Sequence, residues 1–126
     1  MYTILLIGVG GFIGSILRYL VSGWIQNGII SFPVGTLGVN FIGSFFISLI
    51  MYMSEYRSLF GEETRLFLTI GLLGSFTTMS AFSFESFKLL EQKETLLFMV
   101  NIIGTIFLTL FAVFLGKILV INMIEG

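Results

Sequence analysis

Four stretches of about twenty residues, almost free of charge, limit what this chain can fold into. They run from about Tyr2 to Ile25, Phe32 to Met53, Leu66 to Phe84 and Thr95 to Gly116, and Arg18 is the one charged residue inside them. A helix needs about 20 apolar residues to cross the hydrocarbon core of a bilayer. The chain is 56% hydrophobic and 10% charged, too little polar surface to cover a core in water. Lipid is therefore the expected solvent, and the fold class is an all-α membrane protein with four transmembrane helices.

The connections leave no room for a second domain, so residues 1–126 read as one four-helix unit. Gln26 to Ser31 and Ser54 to Arg65 are short links. Glu85 to Glu94 lacks Gly and Pro and is expected to continue the third helix past the membrane surface. Pro33 stands where the second helix begins, a position that tolerates its missing N–H. The first span has no basic leader and no persuasive cleavage site, so it reads as a retained helix.

The opening "YTILLIGVGGFIG" imitates a glycine-rich dinucleotide loop, but its third glycine falls one residue late. No acidic residue follows before Glu55, where a ribose partner is expected about 20 residues on. Gly10 and Gly14 instead form a G-x-x-x-G pair, which lets two membrane helices approach closely.

Four spans put both termini on one side, with Arg57, Arg65 and Lys117. Lys88 and Lys93 lie on the other side, with Arg18 near it. Three cations against two or three give almost no orientation bias, which points to insertion in both directions. The net charge of −1 offers nothing for nucleic acid. With no Cys and no His, disulfides, thiol chemistry and the commonest general base are excluded. No paired carboxylates lie within the spans, so an enzyme is not expected.

Polar side chains in lipid need partners or water. Thr36, Asn40, Ser44 and Ser48 share one face of the second helix, and Asn101, Thr105 and Thr109 one face of the fourth. Such stripes usually join helices. The two amides, each with four hydrogen-bonding sites, leave both a wet path and a structural role open. The third span is the most unusual. Its "GLLGSFTTMSAFSFES", Gly71 to Ser86, gathers glycines, hydroxyls and aromatics at mid-membrane depth, with Glu85 at the edge. Gly74, Ser75, Thr77 and Thr78 permit a break there, and an unbroken helix with back-bonded hydroxyls is the competing possibility.

At these residues the sequence resembles the Fluc (CrcB) family of fluoride channels. "GGFIGSILRY", "GTLGVNFIGSF" and "GLLGSFTTMSAFS" match the family's blocks on the first three helices, in order. The resemblance implies a third helix broken near its middle and a dual-topology, antiparallel homodimer in the inner (plasma) membrane. It also implies two fluoride pores and a central structural Na+ held by the carbonyls of Gly74 and Thr77. Asn40 carries over as a pore hydrogen-bond donor and Arg18 as a membrane-edge cation. Ser80, Ala81, Ser83 and Glu85 carry over as a polar track, with Ala81 replacing a usual threonine. The family's pair of pore phenylalanines falls on Met79 and Phe82, of which only the second is kept. Met79 also suits a heterodimer with a homologue that supplies the missing ring. The physiological expectation is passive export of fluoride anion trapped in the cytoplasm.

Two other readings compete. A small multidrug exporter of this size requires a carboxylate in its first helix, and residues 2 to 25 contain none. A non-conducting assembly protein would account for the glycines but gives Asn40, Phe82 and the polar third span no task.

Overall fold

A computed structural model describes all 126 residues. It contains helices α1 (Tyr2–Gln26), α2 (Val34–Arg57), α3 (Glu62–Leu66), α4 (Gly74–Phe76), α5 (Met79–Glu91) and α6 (Thr95–Glu125). A π-helical stretch, Phe67–Leu73, joins α3 to α4. From Glu62 to Glu91 the chain forms one span, so four segments are long and apolar enough to cross a membrane.

The third span is broken, as expected, at Thr77 and Thr78. Both are extended, with φ −89° and ψ 160° at Thr77 and φ −152° and ψ 120° at Thr78. The expected continuation beyond Phe84 is present, since α5 runs to Glu91. Other boundaries differ. Helix begins at Glu62 rather than Leu66, with Glu62 and Glu63 in a first turn that favours acidic side chains. The last helix runs past Gly116 to Glu125. Lys117 therefore lies inside α6, where its Nζ sits 5.6 Å from the centre of the Tyr52 ring. At 31 residues α6 is about 46 Å long, more than the hydrocarbon core requires.

Packing is inside out compared with a soluble bundle. Only 18 of 126 residues are buried, and half-buried or exposed apolar side chains such as Phe107, Leu110 and Phe114 cover the outside. The buried positions are mostly small or polar: Gly10, Gly14, Thr36, Gly43, Ser48, Asn101, Thr105 and Gly116. Small residues at contacts are what membrane helices use in place of a hydrophobic driving force.

Two close contacts organise the bundle. Helix α1 lies against the π-helical stretch and α4. A Cβ on Gly10 would stand 2.8 Å from the Phe67 carbonyl oxygen, and one on Gly14 would collide with the Leu72 carbonyl oxygen. The amino-terminal glycines are thus packing residues, as their spacing indicates. Helix α2 runs along α6, where Gly116 faces Ser48 and the Ser48 hydroxyl donates to the Val113 carbonyl at 2.6 Å. Helix α5 leans on α6 instead of α1, so the third span changes neighbours at its break.

Candidate functional site

A broken helix must find new partners for the groups it frees. In an unbroken helix the Thr78 N–H would bond the Gly74 carbonyl, and the Ala81 N–H would bond that of Thr77. Here the Thr78 N–H donates to Asn40 Oδ1 at 2.8 Å, and the Ala81 N–H donates to Thr78 Oγ1 at 3.2 Å. Asn40 Nδ2 returns a bond to the Thr78 carbonyl at 3.1 Å. Arg18 Nε donates to the Ser75 carbonyl at 3.0 Å. The Leu73 carbonyl accepts from both the amide and the hydroxyl of Thr77, each at 3.1 Å. Side chains from α1 and α2 therefore hold the break open.

The carbonyls from Gly74 to Thr78 lose their usual helical donors; Ser75 and Thr78 gain Arg18 and Asn40 in exchange, and Gly74, Phe76 and Thr77 gain none. Gly74 and Thr77 among them are the two that the resemblance assigns to sodium. Side chains supply no cluster of acidic or imidazole ligands, so backbone oxygen is the available donor for a cation at this place. Hard cations such as Na+ take oxygen ligands, and the exposed position of Gly74 leaves room for a second copy to approach. The residues fit the ion.

Beside the break lies a cavity of about 310 Å³. Asn40, Ser44 and Gly43 of α2 form one wall, Thr105 and Thr109 of α6 another, and Thr77 to Met79 with Phe82 a third. The four-residue spacings on α2 and α6 meet here. Asn40 and Ser44 from one stripe face Thr105 and Thr109 from the other. A carboxamide nitrogen carries two donors, and the Thr78 carbonyl takes one of those on Asn40. The second remains for whatever occupies the cavity. Gly43 matters for shape, because a Cβ there would run into Thr77 Cγ2.

The sequence-derived site residues divide between places. Asn40, Thr77, Met79 and Phe82 come together in the cavity wall, Met79 with 72% of its surface exposed. Ser80 and Ser83 are exposed and do not line this cavity, although Ser80 Oγ lies 3.2 Å from Thr78 Oγ1. Glu85 belongs to a second cavity nearer the end of α5. Gly10 and Gly14 serve the α1 contact. Arg18 stands eight residues, about 12 Å, before the end of α1, where its guanidinium meets the freed carbonyl of Ser75 at the break.

Of the two amides left open by sequence, Asn101 is structural. It is 2% exposed, donates to Ser86 Oγ at 2.9 Å and accepts from Thr105 Oγ1 at 3.4 Å, tying α5 to α6. Sequence reasoning missed Gln26. Its Nε2 donates to the carbonyls of Ile29 and Phe32 at 2.7 and 2.8 Å, and its Oε1 accepts from the Gly35 N–H at 2.7 Å. A lone glutamine at a helix end carries no signal of that kind.

Residues 5–117 match the family model described as CrcB-like protein, Camphor Resistance (CrcB). The chain is 60% identical over 123 residues to a Methanosarcina acetivorans protein named fluoride-specific ion channel FluC 1, covering 98% of this chain and 94% of that one. It is 58% identical over 117 residues to a FluC 3 of Methanosarcina barkeri, covering 93% and 89%. A FluC of Aquifex aeolicus is 44% identical over 120 residues, covering 94% and 97%.

Proposed function

This chain belongs to the CrcB family, and from that membership and the cavity at the broken helix we propose that it is a fluoride-selective passive channel. The relatives' names supply the ion. The observation that carries the reading is the Asn40–Thr78 pairing, which fixes a break at mid-span and leaves an amide donor facing the cavity. Membership in a channel family sets aside an enzyme. It also sets aside the exporter, in agreement with an α1 that carries no carboxylate.

Fluoride is small and strongly hydrated, so a pore has to replace much of its water shell. Asn40 offers an N–H, the threonine and serine hydroxyls of the wall offer O–H groups, and Phe82 offers the positive rim of its ring. None of these is a full charge, which suits an ion that must bind and then leave. Met79 fills the neighbouring volume with a flexible thioether. Ser80, Ser83 and Glu85 would continue the path along α5 towards the surface.

The assembly we favour is an antiparallel homodimer with two pores, inserted in the plasma membrane. The balance of cations supports both orientations, and the apolar exterior supports contact with lipid and a second copy. A central Na+ would draw on the Gly74 and Thr77 carbonyls of each subunit and would supply a fixed positive charge joining the two. Export down the gradient would need neither ATP nor a cofactor.

Fluoride efflux from liposomes holding only this purified chain tests the function, with sodium on both sides and chloride as the control anion. Fluoride flux without chloride flux is the expected result. Flux that appears only with a co-expressed homologue would replace the homodimer by a heterodimer that completes the ring pair at Met79. Absence of flux in both cases would leave a non-conducting assembly protein.

A further inference from the structure

The second cavity, about 350 Å³, opens between the 27–33 loop and the outer half of α5. Gln26, Ser31, Glu85, Lys88 and Gln92 contribute its polar lining, and the three hydrogen bonds of Gln26 hold the loop in place. Phe82, Glu85 and Leu89 follow one another at spacings of three and four, so one face of α5 leads from the central cavity to this one. If the chain conducts as proposed above, this cavity is the mouth of the path.

The mouth contains an unresolved charge. Glu85 Oε1 is shielded from solvent and has no hydrogen-bond partner. A shielded carboxylate oxygen without a partner is unfavourable, and a negative charge here opposes an arriving anion. Lys88 stands three residues on, within reach on the same helix surface. Its Nζ is instead 3.7 Å from Glu91 Oε1, in a pair whose side chains are 51% and 53% exposed. An exposed pair of that kind holds weakly, so the ammonium is free to turn back.

We infer that Lys88 is the movable counter-charge of Glu85, and that its position sets how readily anions enter the pore. Turned to Glu91, it leaves the mouth carboxylate bare. Turned to Glu85, it cancels the repulsion and satisfies the shielded oxygen. Lys88 is thus a positioning residue for the field at the mouth and need not touch the ion.

The test is fluoride efflux from liposomes as a function of ionic strength, set with an impermeant salt. Screening lengths run from about 30 Å at 0.01 M to about 3 Å at 1 M. Lys88→Gln is expected to slow efflux about three- to tenfold at the low end and to approach the unaltered chain at the high end. Lys88→Arg should keep the rate, and Lys93→Gln, outside the cavity wall, should leave it unchanged. In a Glu85→Gln background the Lys88→Gln change should have no further effect. Glu91→Gln, which releases Lys88, should speed efflux at low ionic strength and gives a reading even if Glu85→Gln conducts poorly. Equal rates for Lys88→Gln and the unaltered chain at low ionic strength would overturn the inference. So would a deficit that ignores salt, or the same deficit in both Glu85 backgrounds. Efflux by the unaltered chain tests the channel reading separately.

Discussion

Asn40 and Thr78 meet at two points: the side-chain amide of one pairs with both the N–H and the C=O of the other, at 2.8 and 3.1 Å. A side chain on α2 thus takes the place of a neighbouring helical turn. Each bond is worth about 0.5–1.5 kcal/mol net, and a freed polar group costs more when water cannot reach it. Asn40→Ala is expected to cost about 1–3 kcal/mol in the melting of the detergent-solubilised protein and to abolish fluoride efflux. Asn40→Asp keeps the acceptor for the Thr78 N–H but loses both donors, so it should be the milder in stability and still fail to conduct. Conduction by Asn40→Ala at the original rate would remove Asn40 from the path.

The contact between α1 and the third span has no space for a methyl group. Gly14→Ala would drive its Cβ into the Leu72 carbonyl, with backbone on both sides, and should destabilise the fold by about 1–3 kcal/mol. Gly23→Ala meets nothing within 4 Å and should be neutral or slightly stabilising. Thermal melts of both variants check the pair, and equal effects would contradict the packing described.

Phe82 and Met79 differ in what they present to an anion. Phe82→Leu keeps much of the volume and loses the ring edge, and efflux should fall at least about tenfold, or about 1.4 kcal/mol. Met79→Phe should retain conduction, because the cavity at that side is open and Met79 is already 72% exposed. If Phe82→Leu conducts normally, the ring is there for packing alone.

Asn101 and Ser86 form a buried pair between α6 and α5, at 2.9 Å. Hydrogen bonds between membrane helices average about 0.6 kcal/mol and reach about 1.7. A double-mutant cycle using Asn101→Ala and Ser86→Ala should give a coupling in that range, with little effect on selectivity. A selectivity change would instead mean that Asn101 faces the ion.

For the proposed sodium, replacing Na+ on both sides with a bulky organic cation should lower efflux and weaken the dimer in detergent. Unchanged efflux and dimer content after exhaustive removal would leave the Gly74 and Thr77 carbonyls without that role.

Much of this architecture was legible because membrane physics is strict. The four spans follow from length and charge alone, whereas the crowding of Gly74, Ser75, Thr77 and Thr78 permitted a third-span break without deciding it against an unbroken helix, and the family resemblance tipped the choice. Sequence could not choose the residue at which the chain turns. Glycine accepts any conformation, yet the extended pair is Thr77 and Thr78, β-branched residues at ease in extended backbone. The π-helical stretch Phe67–Leu73 was also illegible, since no residue type announces it. It lies where Gly10 and Gly14 bring α1 against Leu72, so it belongs to the packing of two helices and not to either alone. Gln26 was hidden for a similar reason, because its partners are backbone groups of a loop whose path the sequence does not state.

One consequence of the break concerns polarity. The helical run from Glu62 ends at Phe76 and another begins at Met79, so the dipoles of two peptide stacks meet head to tail. Carbonyl ends carry partial negative charge and amide ends partial positive charge, within a few residues of each other. A single fault in one helix thereby offers a cation one side and an anion the other. No residue lining the central cavity has an ionisable side chain. The field inside that cavity is therefore set by peptide, amide and hydroxyl dipoles and not by any side-chain charge on its wall.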